Sequence, residues 1–410
     1  MNRILLYTCL LFSLIACKEE DDNPMKARGS YDRTVLVYIA GENNLSQSIS
    51  DDLNEMRAGS KDIGSNNVLA VYVDASGKDS LPYIARIADG EIVDKYIYPT
   101  DPLSSDPDVM AQILGNVSSR YPALEYGLVL WGHGSGFVGE DSVAYTPRRA
   151  FGVDNGENTS SDQGKWINIP TLAKVLQDWG HHLKFIFGDN CYFQSIETAY
   201  ELRHVADYLI GSPAEIPGRG APYNTVVKSM FSQSDDFYKA IVDSYFQQTI
   251  PVSYDGWNSY TARVALSVIR TSELEQLAQS TRVLLTKMDP TTSPNLTSLL
   301  YYGRYYYIPE RKRVDTYYDM NDYFLHHANT EDYDTWKTSY DRAVIYKVYD
   351  KWETYTMPMS IFQRLSDERY GGVSMYIPQQ RTDTQFYNDC ASYIKNLEWY
   401  EAAGLQSFGW

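Results

Sequence analysis

Residues 126–136 read Tyr-Gly-Leu-Val-Leu-Trp-Gly-His-Gly-Ser-Gly. A continuous apolar run stops at a histidine flanked by glycines. Such a run predicts a strand buried on both faces that opens into a loop able to turn sharply and approach a ligand. The same form recurs at Leu183–Phe187, which runs into Gly188-Asp189-Asn190-Cys191. Thr34–Ala40, Val68–Val73 and Asp207–Ile210 are further core strands. Helical patterns lie between them. Leu45, Ile49, Leu53 and Met56 fall on one helix face. Asp106-Pro107 opens a helix to about Arg120, another runs from Pro170 to about Gly180, and Phe193, Ile196 and Tyr200 mark a third. Strands alternating with helices predict an α/β fold, a largely parallel sheet flanked by helices.

Outward from this core the pattern is less regular. Residues 81–87 and 91–98 flank Asp89-Gly90, a hairpin signal. Residues 138–166 are polar and read as a loop. Tyr260–Val268 and Gly372–Ile377 read as strands, and Ser272–Met288 and Asp383–Tyr400 as helices. Tyr301–Tyr318, rich in Tyr and Arg, yields no assignment. With no internal repeat and no flexible linker, residues 31–270 are expected to form the core. Residues 271–410 are expected to form an α+β extension packed on it.

The chain has 410 residues, 43% of them hydrophobic, and a net charge of −17. That is enough apolar mass for a sizeable core, and too acidic a balance for a nucleic-acid partner. Four cysteines exclude a disulfide scaffold. Met1-Asn2-Arg3 and the apolar run 4–16 fit a signal peptide over residues 1–16, too short to span a bilayer. Leu14-Ile15-Ala16-Cys17 resembles the bacterial lipoprotein box. The resemblance implies a lipid on Cys17, with residues 17–30 as an acidic tether to the outer membrane. Lys18-Glu19-Glu20-Asp21-Asp22 resembles a surface-export signal of Bacteroidetes-type bacteria. Cys9 leaves with the signal, and Cys390 reads as packing in the last helix.

Loops at the carboxyl ends of parallel strands converge on one edge of a sheet, where sites form. His133 and Cys191 end two such strands, 58 residues apart with one helix between. An imidazole in reach of a thiol accepts its proton and makes it a nucleophile. The N–H groups of Gly134 and Cys191 are placed to hold a developing oxyanion. Other chemistries lack their motifs. No Gly-x-Ser-x-Gly elbow, phosphate loop or His-Glu-x-x-His occurs. The adjacent pairs His181-His182 and His326-His327 point their side chains in different directions and make no natural chelate.

Leu-Val-Leu-Trp-Gly-His-Gly-Ser-Gly (128–136) together with Phe-Ile-Phe-Gly-Asp-Asn-Cys (185–191) resembles the clostripain family of cysteine peptidases. The likeness continues through 211–223 and reappears in 262–268 and 372–378. It implies the caspase-like fold, with His133 as catalytic histidine, Cys191 as nucleophile and Gly134 in the oxyanion hole. It also implies cleavage after Arg or Lys, with Asp189 binding the basic side chain. Glu215 is a candidate second pocket acid. Asn190 departs from the small residue often found before the nucleophile, which bears on pocket shape. Relatives are often cut between the two catalytic strands, which points to self-cleavage after Arg148 or Arg149. No cofactor is expected. Some relatives use calcium, but no loop of defined ligand spacing occurs here. The competing reading is a non-catalytic binding lipoprotein on the same fold.

Overall fold

The computed structural model describes residues 30–137, 150–161, 164–253, 259–290, 295–296, 298–307, 312–350, 352–353, 362–363, 365–378 and 391–410. The signal segment, Cys17, the Arg148-Arg149 pair and Cys390 lie outside the described residues. In chain order the strands are β1 (Tyr31–Gly41), β2 (Asn67–Ala75), β3 (Tyr83–Ala88), β4 (Glu91–Ile97), β5 (Ala123–Gly132), β6 (Phe151–Asp154), β7 (Lys165–Ile167), β8 (Leu183–Asp189) and β9 (Ala206–Gly211). They continue as β10 (Ile250–Ser253), β11 (Ser259–Ala262), β12 (Leu266–Arg270), β13 (Tyr301–Tyr307), β14 (Lys312–Asp319) and β15 (Val344–Val348).

Nine strands form the central sheet, in the order β15-β12-β9-β8-β5-β1-β2-β3-β4. The block β9-β8-β5-β1-β2 is parallel. Antiparallel pairs extend it at both edges. Successive residues of a strand face opposite sides, and β1 obeys this residue by residue. Val35, Val37 and Ile39 pack against α1 (Ile49–Gly59), α5 (Tyr223–Met230) and α6 (Phe237–Phe246). Leu36, Tyr38 and Ala40 face the other layer. That layer holds α2 (Pro107–Arg120), α3 (Ile169–Trp179), α4 (Ile196–Glu201), α7 (Leu274–Lys287), α8 (Met320–His327) and α9 (Thr330–Ala343). Each large apolar side chain so enclosed contributes about 1.5–3 kcal/mol.

Local chemistry sets the element ends. Asp89 and Gly90 both take positive φ (52° and 86°), the backbone of a tight two-residue hairpin turn. The Asp106 carboxylate accepts from the N–H groups of Asp108 (2.9 Å) and Val109 (3.3 Å) and caps α2. Asn168 caps α3, and Gly180 ends it in the left-handed region.

Several expectations need correction. The 138–166 stretch contains a short hairpin, β6–β7. The helix expected from Phe193 begins at Ile196, because the Ser195 hydroxyl accepts from Thr198 N–H and caps it there. The single strand expected over 260–268 is two strands that change partner, β11 with β10 and β12 with β9. Tyr301–Tyr318 is a hairpin, β13–β14. Of Gly372–Ile377 only Ser374–Met375 pairs, against β14. Residues 383–390 of the last expected helix lie outside the described residues, and a helix covers Glu398–Ala402.

Gly127 lies opposite Phe185 in the β5–β8 pair, and a Cβ there would meet the ring at 2.5 Å. The ring is fully buried, so it has no room to yield. Gly127→Val is expected to destabilise the fold by about 1–3 kcal/mol, read as a lower urea midpoint. An unchanged midpoint contradicts this packing.

Candidate active site

β5 and β8 are neighbours, and their register sets Trp131 opposite Asp189. His133 and Cys191 each lie two residues beyond that pair, at the carboxyl edge of the sheet. The two loops are sewn together by Asn190. Its Nδ2 donates to Leu130 O at 2.9 Å. A Cβ on Gly134 would fall 2.4 Å from Asn190 Oδ1 and 2.6 Å from Cys191 O. Only glycine permits this approach. Asn190 is therefore directed at the histidine loop.

His133 is held from several directions. Its Nε2 lies 2.6 Å from Asn44 Oδ1, at the turn after β1. With that oxygen as acceptor, Nε2–H donates. The His133 carbonyl accepts from Gly152 N–H at 2.9 Å, and Ser135 N–H donates to Ala150 O at 3.0 Å. Phe137 and Ala150, the residues that bound segment 138–149, are both buried. The two ends of that segment thus enter the fold side by side, next to the histidine.

Cys191 is partly exposed. Its sulfur accepts from Ile216 N–H at 3.4 Å and lies 3.8 Å from Ile216 O. Burial pushes the thiol up to about 12. The negative charges of Glu215 and Asp189 add to this, and the Ile216 N–H opposes it. Tyr192, the next residue, has φ 57°, a conformation rare for a side chain of its size. Three contacts hold it. Its N–H donates to Ala214 O, its hydroxyl donates to Glu215 Oε1 at 2.7 Å, and its ring stacks on Tyr317 at 4.5 Å. The Tyr317 hydroxyl in turn donates to Ser135 O. The loops that carry His133 and Cys191 are thereby both braced from β14.

Asp189 is buried. Both of its oxygens accept from Ala221 N–H, at 3.0 and 3.1 Å, and Oδ2 accepts from the Tyr223 hydroxyl at 2.7 Å. Burial raises its carboxyl to about 6, against the pull of the Tyr223 and Ala221 bonds. Gly220, φ 63°, passes so close that a Cβ would sit 2.7 Å from Oδ2. Two further acids, which the sequence alone did not single out, share these surroundings. Asp52 accepts from Trp131 Nε1 at 2.7 Å and is raised to about 8, by burial first and Asp189 next. Glu55 accepts from Tyr223 N–H at 2.9 Å and lies 4.0 Å from Arg219. Glu215 sits with Tyr192 beside the thiol, and burial raises it to about 7. Elsewhere on the same edge, Glu42, Asp74 and Asp101 bring carboxylate oxygens within 4.8 Å of one another.

The arrangement joins a thiol, an oriented imidazole and a buried carboxylate at one sheet edge, the parts needed for covalent acyl transfer. A family model described as the clostripain family matches residues 37–408. Clostripain of Hathewaya histolytica is 24% identical over 219 residues, 47% of this chain and 41% of that protein, so the match spans less than half of that relative. A secreted C11 cysteine protease from Bacteroides thetaiotaomicron, solved with an irreversible peptide inhibitor, superposes with a TM-score of 0.73 at 33% identity, over 92% of this chain and 99% of that one. An inactive zymogen C11 protease from Parabacteroides distasonis gives a TM-score of 0.69 at 27% identity, over 91% and 98%. Among the described residues no helix is long and apolar enough to cross a membrane. The match across nearly the whole chain, on this fold and with these two strand ends, makes the chain a member of the clostripain family of cysteine peptidases.

Proposed function

We propose that this chain is an endopeptidase that cuts peptide bonds after Arg or Lys, with Cys191 as nucleophile and His133 as its base. The observation that carries the reading is the β5–β8 register, which sets the two residues equally far beyond paired strand ends. In the first step His133 takes the thiol proton, and sulfur bonds to the scissile carbonyl carbon. The oxyanion forms at the N–H groups of Gly134 and Cys191. The tetrahedral intermediate collapses, and the amine leaves with the proton from His133. Water, deprotonated by His133, then releases the acid from the thioester. In this reading Nδ1 carries the proton traffic, because Asn44 Oδ1 lies 2.6 Å from Nε2. Asp189 reads the basic side chain, since a buried carboxylate gains most from a guanidinium or ammonium. Glu215 adds a second carboxylate near the thiol.

A thiol held near 12 is protonated at neutral pH and a poor nucleophile. In our reading the intact chain is the resting form, and cleavage after Arg148 or Arg149 releases it. The ends of segment 138–149 lie beside His133, so a cut there acts directly on the site. The two pieces stay joined, because β1–β5 belong to one and β8, β9, β12 and β15 to the other within a single sheet.

Peptides carrying Arg, Lys, Asp or Leu before a reporter test the activity. Turnover of the Arg and Lys peptides is expected, with a loss of at least about 1000-fold in Cys191→Ala. Asp189→Asn is expected to lower kcat/KM for the Arg peptide by about 100-fold, some 2.7 kcal/mol. Turnover that survives Cys191→Ala rejects the nucleophile, and turnover of Asp or Leu peptides alone removes Asp189 from the pocket. Intact mass tests the activation step. Purified wild type should give two co-eluting pieces and Cys191→Ala a single chain, whereas a fully active, uncut wild type contradicts it.

A further inference from the structure

Tyr245 lies in α6 and is 1% exposed, and among the described residues its hydroxyl has no hydrogen-bond partner. A buried tyrosine ordinarily finds a partner for its hydroxyl, and one without a partner is a standing cost to the fold. Phenylalanine would supply the same ring without that cost. The position of the ring gives the hydroxyl a use. It meets the Phe187 ring of β8 edge-on, with centroids 6.2 Å apart. Asp189 is two residues further along β8 and therefore on the same face. Trp131, opposite Asp189, and Tyr223, which donates to it, belong to the same packed layer as Tyr245. Burial first, and then the charges of Asp189, Cys191 and Asp52, hold the phenol well above its ordinary range, so the hydroxyl stays neutral.

Asp189 has little accepting capacity to spare. An ionised carboxylate offers about four lone-pair sites. Oδ1 already accepts from Ala221 N–H, and Oδ2 accepts from the same N–H and from the Tyr223 hydroxyl. The nearby Asp52 has one oxygen committed to Trp131 Nε1. An ammonium brings three donors on a rotatable head and can turn them toward whatever acceptors remain. A guanidinium brings five donors fixed in one plane and needs more acceptors at set positions. The Tyr245 hydroxyl is an acceptor of that kind, buried beside the carboxylate and uncommitted.

We propose that the Tyr245 hydroxyl accepts a hydrogen bond from the guanidinium of a substrate Arg held at Asp189, and so favours Arg over Lys before the scissile bond. The inference rests on the reading of Asp189 as the residue that binds the basic side chain. Tyr245 takes no part in the chemistry at sulfur. Its role is selection, and the hydroxyl that lacks a partner in the free chain gains one when Arg enters. A group kept for binding at a cost to the fold carries a distinctive signature, because its removal weakens substrate recognition without weakening the protein.

The test compares wild type, Tyr245→Phe and Tyr340→Phe on two reporter peptides that differ only in Arg or Lys, with preparations matched for chain cleavage by intact mass. Tyr340 in α9 is the control, since its hydroxyl is also buried and without a partner among the described residues. In Tyr245→Phe, kcat/KM for the Arg peptide is expected to fall at least about 10-fold and that for the Lys peptide by less than about 3-fold. The melting temperature should equal or exceed that of the wild type. Tyr340→Phe should cut both peptides at wild-type rates. An unchanged Arg-to-Lys ratio in Tyr245→Phe overturns the role of Tyr245 and leaves that of Asp189 standing. An equal change of ratio in Tyr340→Phe overturns it too. So does a melting temperature lowered by more than about 3 °C, which would give the hydroxyl a partner within the fold. A wild type that cuts neither peptide fails at the reading of Asp189 itself, and this inference falls with it.

Discussion

The parallel pairing of β5 with β8 is the constraint on which the site depends. A parallel register leaves no freedom in which residues emerge together at the sheet edge. Once Trp131 faces Asp189, His133 and Cys191 follow. The pair is locked by contacts that reward this register and no other. Phe185 covers the glycine at 127, and Asn190 bonds back to Leu130 while filling the space beside Gly134. A slip of one residue would turn every side chain to the wrong face. The chemistry is therefore placed by backbone hydrogen bonds and core packing and not by the catalytic side chains finding each other.

The electrostatics of this edge are unusual in one respect: it gathers acids. Asp52, Glu55 and Asp189 lie close together, Glu215 lies close to the thiol, and Glu42, Asp74, Asp101 and Asp154 gather near the ends of β1, β2 and β6. Burial lifts several of these groups above the usual carboxylate range. Burial also pushes the Cys191 thiol up, with Glu215 and Asp189 adding to the shift. An edge so charged presents a negative potential.

Much of this was legible in the sequence because the decisive residues sit where periodicity ends. Core strands announce themselves as apolar runs, and His133 and Cys191 are the first chemically active residues after two of them. The supporting residues were not legible. Asn44 is a polar residue just past a core strand, and only the adjacency of β1 to β5 brings it to the imidazole. Tyr317 lies in a stretch whose pattern carried no signal, yet it stacks on Tyr192 from 125 residues away in the chain. Asp52 and Tyr223 belong to α1 and α5, helices distant in the chain that pack on the same face of the sheet. The strand expected over 260–268 failed for the same reason, since a change of pairing partner leaves no trace in hydrophobic order. Local signals give elements and their ends, and contacts between distant elements give the site.

The central claim is that the paired ends of β5 and β8 make Cys191 a nucleophile that depends on His133. Capture by an acyloxymethyl ketone peptide ending in Arg tests it most directly, with the adduct located by tandem mass spectrometry. The account predicts a single adduct on Cys191 and capture slowed at least about 100-fold in His133→Ala. An adduct on another residue, or an unchanged rate in that variant, would contradict it.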